Sequence, residues 1–221
     1  IMLRLTPPDY TTIAQARSYI ANYGGCEANV LVSLSHLGHK SEFITKLPNN
    51  QLGDSAEKHL LAHGVDTSHI AKGSSNLGMY FVETGFGGRP SKVIYNRKHS
   101  AITRINEKEI NFDEIFKDAK WFHLSGISLA LGEKVRKVAF KCLEYAKKYN
   151  VIVSFDFNYR KKLWTIEEAR PYYKQVIPYV NVLFANHFDI GEILQVKLEE
   201  TPYDLTSLKV ALSRKLINSS N

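Results

Sequence analysis

"EKVRKVAFKCLEYAKKYNVIVSFDF", residues 133–157, carries two periods in succession. From Glu133 to Asn150 the apolar positions Val135, Val138, Ala139, Cys142, Leu143 and Ala146 recur at spacings of three and four, the stripe of a core-facing helix. The β-branched and aromatic run Val151–Phe157 follows at once and suits a parallel strand buried on both faces. "WFHLSGI" (121–127) and "NVLFAN" (181–186) are similar runs, and a second helical stretch over roughly 166–178 separates the last two strands. Strand, helix, strand, helix, strand predicts βαβ units and an α/β core.

Upstream the pattern changes. "LGMYFVETG" (77–85) and "SKVIYNRKHS" (91–100) are joined by the Gly/Pro-rich "FGGRP" with no helix between, which predicts an antiparallel hairpin, a small β appendage on the core.

At 221 residues, with 44% hydrophobic and 23% charged residues, the composition is that of an ordinary globular chain with a sizeable core. No apolar stretch reaches the length of a membrane span and no secretory segment is present, so a soluble, cytoplasmic protein is expected. Two cysteines, Cys26 and Cys142, allow no disulfide framework or cysteine-rich metal site. The formal charge of +7 is spread along the chain without a nucleic-acid-binding motif. That excludes nucleic acid as the expected partner and leaves a small anionic ligand open beside a merely lysine-rich surface. The first residue is Ile, and "LKVALSRKLINSSN" closes the sequence on a helix-like run that leads nowhere, so a fragment of a longer chain is expected.

Four stretches could carry chemistry, and each has a bland alternative. "YGGCEANVLVSLSHLG" (23–38) places two glycines before an apolar helical run, to let the backbone approach a ligand or simply to turn. Alternation puts Val93, Tyr95 and Arg97 on one face of the second hairpin strand, where they suit a hydroxylated anion or form an exposed polar face. In "FDFNYRKKLW" (155–164), Asp156, Asn158 and Arg160 fall at the carboxyl end of a strand, where α/β folds place ligands and where helix caps also occur. "FANHFDIGEIL" (184–194) repeats that layout with Asn186 and Asp189, which would serve equally as a helix cap or on metal and phosphate. The histidines show no metal-ligand spacing, and there is no Walker loop, nucleophile elbow or G-x-G-x-x-G motif.

Together these stretches, with "LGDSAEKHLLAHGVDTSHI" (52–70) and "GMYF" (78–81), resemble the ribokinase-like (PfkB) family of carbohydrate kinases over nearly the whole chain, and within it the 2-keto-3-deoxygluconate kinases. The resemblance implies a three-layer α/β/α core with a small β-sheet lid. Its expected parts are residues 1–22 (first strand of the core and start of the lid), 23–70 (core with the sugar signature), 71–104 (lid hairpin) and 105–221 (α/β core). The C-terminal part of the fold would be missing, because the family's Gly-Ala-Gly-Asp motif, which supplies the catalytic base, does not occur in these residues. No catalytic residue is therefore expected in this chain.

By resemblance, the substrate contacts are Gly24, Gly25, Asn29, Tyr80, Tyr95, Arg97, Ile127 and Arg160, and the phosphate side of ATP meets Asn158, Asn186 and Asp189. The family's Asn-x-x-Glu element appears with Asp189 in place of Glu; the shorter reach implies contact with Mg2+ through water and no direct metal ligand. The implied reaction moves the γ-phosphate of ATP to 2-keto-3-deoxygluconate. The alternatives are another sugar kinase such as a fructokinase, or a sugar-acid binder without catalysis. A homodimer through the lid is a further implication, with no membrane or nucleic-acid partner.

Overall fold

A computed structural model describes residues 1–73 and 76–195, with residue 188 described by its backbone. The chain divides into two compact units, Ile1–Asn111 and a second that begins at Phe112.

The first unit opens with β1 (Met2–Thr6) and β2 (Ile20–Gly24), then α1 (Cys26–His36). The short strands β3 (Ser41–Glu42) and β4 (Lys46–Pro48) lead to α2 (Gln51–Ala62), followed by β5 (Val65–Asp66) and β6 (Ala71–Gly73). The hairpin expected from its Gly/Pro turn is β7 (Met79–Glu83) and β8 (Lys92–Asn96), paired antiparallel with Tyr80 opposite Tyr95. It does not stand alone. A four-stranded sheet has the order β2-β1-β7-β8, with β1 parallel to β7 and antiparallel to β2. β1, from the stretch expected to supply the first strand of the core and the start of the lid, pairs in the hairpin's sheet, with Leu3 in register with Met79.

Elsewhere in this unit β3 pairs parallel with β5, and β4 with β6. The Asn50 side chain caps α2 by accepting from the Leu52 and Gly53 amides. Gly53 is required there, since a Cβ would lie 1.9 Å from the Pro48 carbonyl oxygen. Leu3, Ala28, Phe43, Leu47, Ala56, Leu60 and Val65 close the core beneath these elements.

The second unit begins with α3 (Phe112–Phe116) and is built on three parallel strands, β9 (Trp121–Ser125), β10 (Ile152–Asp156) and β11 (Val182–Phe184), in the order β11-β10-β9. The expected βαβ alternation is present. α4 (Gly126–Ala130) and α5 (Glu133–Lys148) connect β9 to β10, and α6 (Ile166–Val176) connects β10 to β11. All six apolar positions read from the stripe of α5 are buried. Val153, Ser154 and Phe155 are buried in succession, the signature of a strand covered on both faces. The strand expected over 121–127 stops at Ser125, where the backbone turns into α4. A short turn, α7 (His187–Asp189), follows β11 and continues as a π-helical turn over Ile190–Leu194.

Candidate active site

In the first unit, the six expected substrate residues form one line of contacts. Gly25 is the N-cap residue of α1; its amide donates to Asn29 Oδ1 at 3.4 Å, while Asn29 N donates back to the Gly25 carbonyl at 2.8 Å. A Cβ on Gly24 would sit 3.1 Å from the Tyr80 hydroxyl and 3.7 Å from Asn29 Oδ1, so the missing side chain is what lets these groups converge. Tyr80 stacks on its cross-strand partner Tyr95, with centroids 5.8 Å apart and planes at 23°. The Arg97 guanidinium lies 4.6 Å over the Tyr95 ring.

The absent side chain of Gly24 thus makes room for Tyr80 and Asn29, and Tyr95 and Arg97 share a face. That face is more open than a half-buried one: Tyr95 is 44% exposed. Burial pushes the Tyr80 hydroxyl above its usual pKa, with Tyr95 adding to the shift and Arg4 opposing it. A protonated phenol that can donate is the result.

In the second unit, the expected residues line the carboxyl edge of the parallel sheet. Ser125, Asp156 and Phe184 are level with one another in register, so the residues that follow them leave from the same edge. Ile127 is in the first turn of α4 after β9. After β10, Asp156 Oδ1 accepts the Asn158 amide at 3.1 Å and holds Asn158 at φ 37°, a left-handed conformation that Asn tolerates. Arg160 follows and is exposed. After β11, the Asn186 side chain accepts from the Asp189 amide and donates to Asp189 Oδ2, both at 2.8 Å. Partial burial raises the Asp189 carboxyl above its usual range; the Asn186 amide opposes this, Asp156 reinforces it, and Arg160 opposes it. Asp156 and Arg160 thus both act on the Asp189 carboxyl.

Two residues that support this edge were not singled out from the sequence. The Tyr173 hydroxyl, fully buried, donates to the Phe157 carbonyl at 2.5 Å. Gly126 passes directly beneath it, for a Cβ there would meet that hydroxyl at 1.9 Å and the Phe157 carbonyl oxygen at 2.2 Å. Tyr173 thus fixes the backbone before Asn158 and the turn before Ile127. A buried aromatic in an amphipathic helix carries no local sign of such a role. A separate concavity lined by Arg136, Leu163, Trp164 and Tyr172 contains none of the expected residues.

Among the described residues no group of three or more His, Cys, Asp or Glu could enclose a metal ion. Magnesium needs less, commonly one or two carboxylates completed by water and substrate phosphate. Asp189 and Asp156 fit that donor set, and the amide that orients Asp189 supplies the supporting hydrogen bond.

The model of the pfkB family carbohydrate kinases matches residues 1–218. The chain is similar to the crystal structure of 2-dehydro-3-deoxygluconokinase from Thermotoga maritima, with 43% identity and a TM-score of 0.91 over 97% of this chain and 67% of that one. It is 36% identical over 195 residues to the 2-dehydro-3-deoxygalactonokinase of Haloferax volcanii, which covers 88% of this chain and 61% of the relative. It is 34% identical over 158 residues to the 5-dehydro-2-deoxygluconokinase of Clostridium tetani, covering 71% of this chain and 46% of the relative. The chain therefore spans about half to three fifths of the length of these curated relatives. With residues 1–218 matched by the family model and the α/β fold shared with the Thermotoga enzyme, the chain belongs to the pfkB family of carbohydrate kinases and has its ribokinase-like fold.

Proposed function

We propose that this chain supplies the sugar-binding and phosphate-facing residues of a kinase that transfers the γ-phosphate of ATP to a hydroxyl of 2-keto-3-deoxygluconate. The observation that carries this reading is the contact line from Asn29 through Gly24, Tyr80 and Tyr95 to Arg97. It offers amide and phenol groups suited to sugar hydroxyls and ends on a guanidinium. A planar, always-charged fork pairs with a carboxylate in a bidentate way, and a neutral sugar gives it no charge partner. The names of the similar Thermotoga and Haloferax proteins support a keto-deoxy sugar acid.

In this reading Tyr80 donates to the sugar, Arg97 takes the carboxylate, and Ile127 and Arg160 are further sugar contacts. Asn158 and Asn186 hold phosphate oxygens by their amides. Asp189, with Asp156 beside it, would hold magnesium through water; bound there, the ion would neutralise charge on the phosphates. These residues bind and orient, and none of them is assigned as the base that takes the hydroxyl proton.

The test is a coupled ADP-release assay on the purified protein with 2-keto-3-deoxygluconate, 2-keto-3-deoxygalactonate and fructose, beside calorimetry with each sugar. Phosphorylation that favours a sugar acid by about tenfold or more, the equivalent of 1.4 kcal/mol, is expected. A preference for fructose overturns the acid-sugar assignment. Tight binding of the acid without ADP release moves the protein to the class of binders.

A further inference from the structure

Three of the eight histidines, given no role by their spacing, assemble across two helices. His36 in the last turn of α1 and His63 at the C-terminal cap of α2 bring Nε2 and Nδ1 to 3.0 Å, although 27 residues separate them in sequence. His59, one turn earlier on α2, packs its ring edge-on to His63 at 4.7 Å between centroids and lies 5.4 Å from Tyr23. The neighbouring backbones are also tied: the Ser35 hydroxyl donates to the Gly64 carbonyl at 3.2 Å and shares a 2.5 Å hydrogen bond with Ser41. The two imidazoles are thus held at a set separation by bonds other than their own.

That separation has a second meaning. Two imidazole nitrogens bound to one ion at about 2.0–2.1 Å stand about 2.8–3.4 Å apart for angles between a right angle and a tetrahedral one. Such an ion would displace the proton that joins His36 and His63 and would sit to one side of the line between the two nitrogens. Both residues lie at helix C-termini, where unpaired carbonyls and the helix dipole favour positive charge. His36 is exposed and His63 partly so, which gives an ion access and leaves room for water to complete its coordination.

We propose that His36 and His63 chelate one divalent transition-metal ion of the imidazole-preferring class, copper, nickel or zinc, and so fasten the C-terminal end of α1 to that of α2. Two protein ligands make an open chelate, with copper bound most tightly. The site shares no residue with the candidate active site and does not depend on the proposed reaction.

Calorimetry of the tag-free protein with CuCl2 and with NiCl2 tests it. One ion per chain and a rise in melting temperature are expected. His36→Gln and His63→Gln should each weaken binding by about tenfold or more, while His99→Gln leaves it unchanged. Absence of saturable uptake by the wild-type protein, or full retention by either of the two variants, overturns the proposal. Electron paramagnetic resonance of the copper-loaded wild type needs no variant. Two coordinated nitrogens are expected, and one or none overturns the chelate.

Discussion

Replacing Gly126 with Ala adds one methyl group in a place that has no room for it. The new Cβ would lie 1.9 Å from the Tyr173 hydroxyl and 2.2 Å from the Phe157 carbonyl oxygen. Tyr173 is fully buried and packed against Phe155, Phe157 and Trp164, so its ring has no free direction to take. Overpacking of this kind costs about 1–3 kcal/mol. Displacing the hydroxyl also breaks its 2.5 Å bond to the Phe157 carbonyl, and a buried acceptor left without its donor costs about 1–3 kcal/mol more. The expected loss is therefore about 2–6 kcal/mol, against a total stability of about 5–15 kcal/mol for a typical domain.

A double-mutant cycle isolates the hydroxyl's share. In a Tyr173→Phe background the 1.9 Å collision disappears while the contacts with the ring Cζ at 2.6 Å and the Phe157 carbonyl oxygen at 2.2 Å remain, so Gly126→Ala should cost less there by about 0.5–3 kcal/mol. Urea denaturation followed by tryptophan fluorescence reads both numbers. Trp164, 5.9 Å from the Tyr173 ring and buried, is the reporter; Trp121→Phe removes the other, exposed indole. A loss below about 1 kcal/mol, or an equal penalty in both backgrounds, would refute the idea that Tyr173 clamps this edge of the sheet.

Arg97→Ala should weaken binding of the sugar acid by about 1.5–3 kcal/mol, the worth of a hydrogen bond to a charged group, and unchanged calorimetric affinity would remove Arg97 from the site. Gly24→Ala should push the Tyr80 hydroxyl off its position, 3.1 Å from the new Cβ, and lower sugar affinity while the melting temperature holds; equal affinity would show that the approach is idle. Asp189 has a raised pKa in the fold, so the folded state holds its proton more firmly, and this group's contribution to stability falls as pH rises from the ordinary carboxylate value through the folded one. Asp189→Asn should accordingly melt higher than wild type at neutral pH and lose that advantage in acid, and a variant that melts lower at neutral pH would contradict the assignment. Burial pushes the Cys142 thiol up to about 12, so a thiol reagent at pH 8 should modify Cys26 first and Cys142 only on unfolding, as a timed mass spectrum would show.

The periodic parts of the chain were legible before the structure was known. The stripe of α5 and the run of β10 announce their burial because helix and strand periods depend only on neighbours a few residues away. The hairpin was equally plain, since Gly and Pro between two β-branched runs leave the chain little else to do. What escaped was long-range. Pairing of β1 with β7 joins residues more than seventy apart, and no local pattern encodes it. The early end of β9 at Ser125 follows from the space that Tyr173 leaves over Gly126, a fact about a helix some fifty residues downstream. In the candidate site, residue types were readable at each position, and resemblance to a family gathered them. Only the structure shows Gly24 making room for Tyr80, or Asp156 spending a carboxylate oxygen on the Asn158 amide.

The direct pairing of Tyr80 with Tyr95 also determines where this lineage can drift. Alternate residues of a strand face opposite ways, so one residue gained within β8 before Tyr95 would turn both Tyr95 and Arg97 to the far side at a stroke. The connecting "FGGRP" carries no such constraint, and lengthening it leaves the facing order intact. Among descendants of this chain, insertions and deletions should therefore accumulate between Glu83 and Lys92 and be purged from the strands on either side, with ligand choice changing by substitution on one face of a hairpin whose count is frozen.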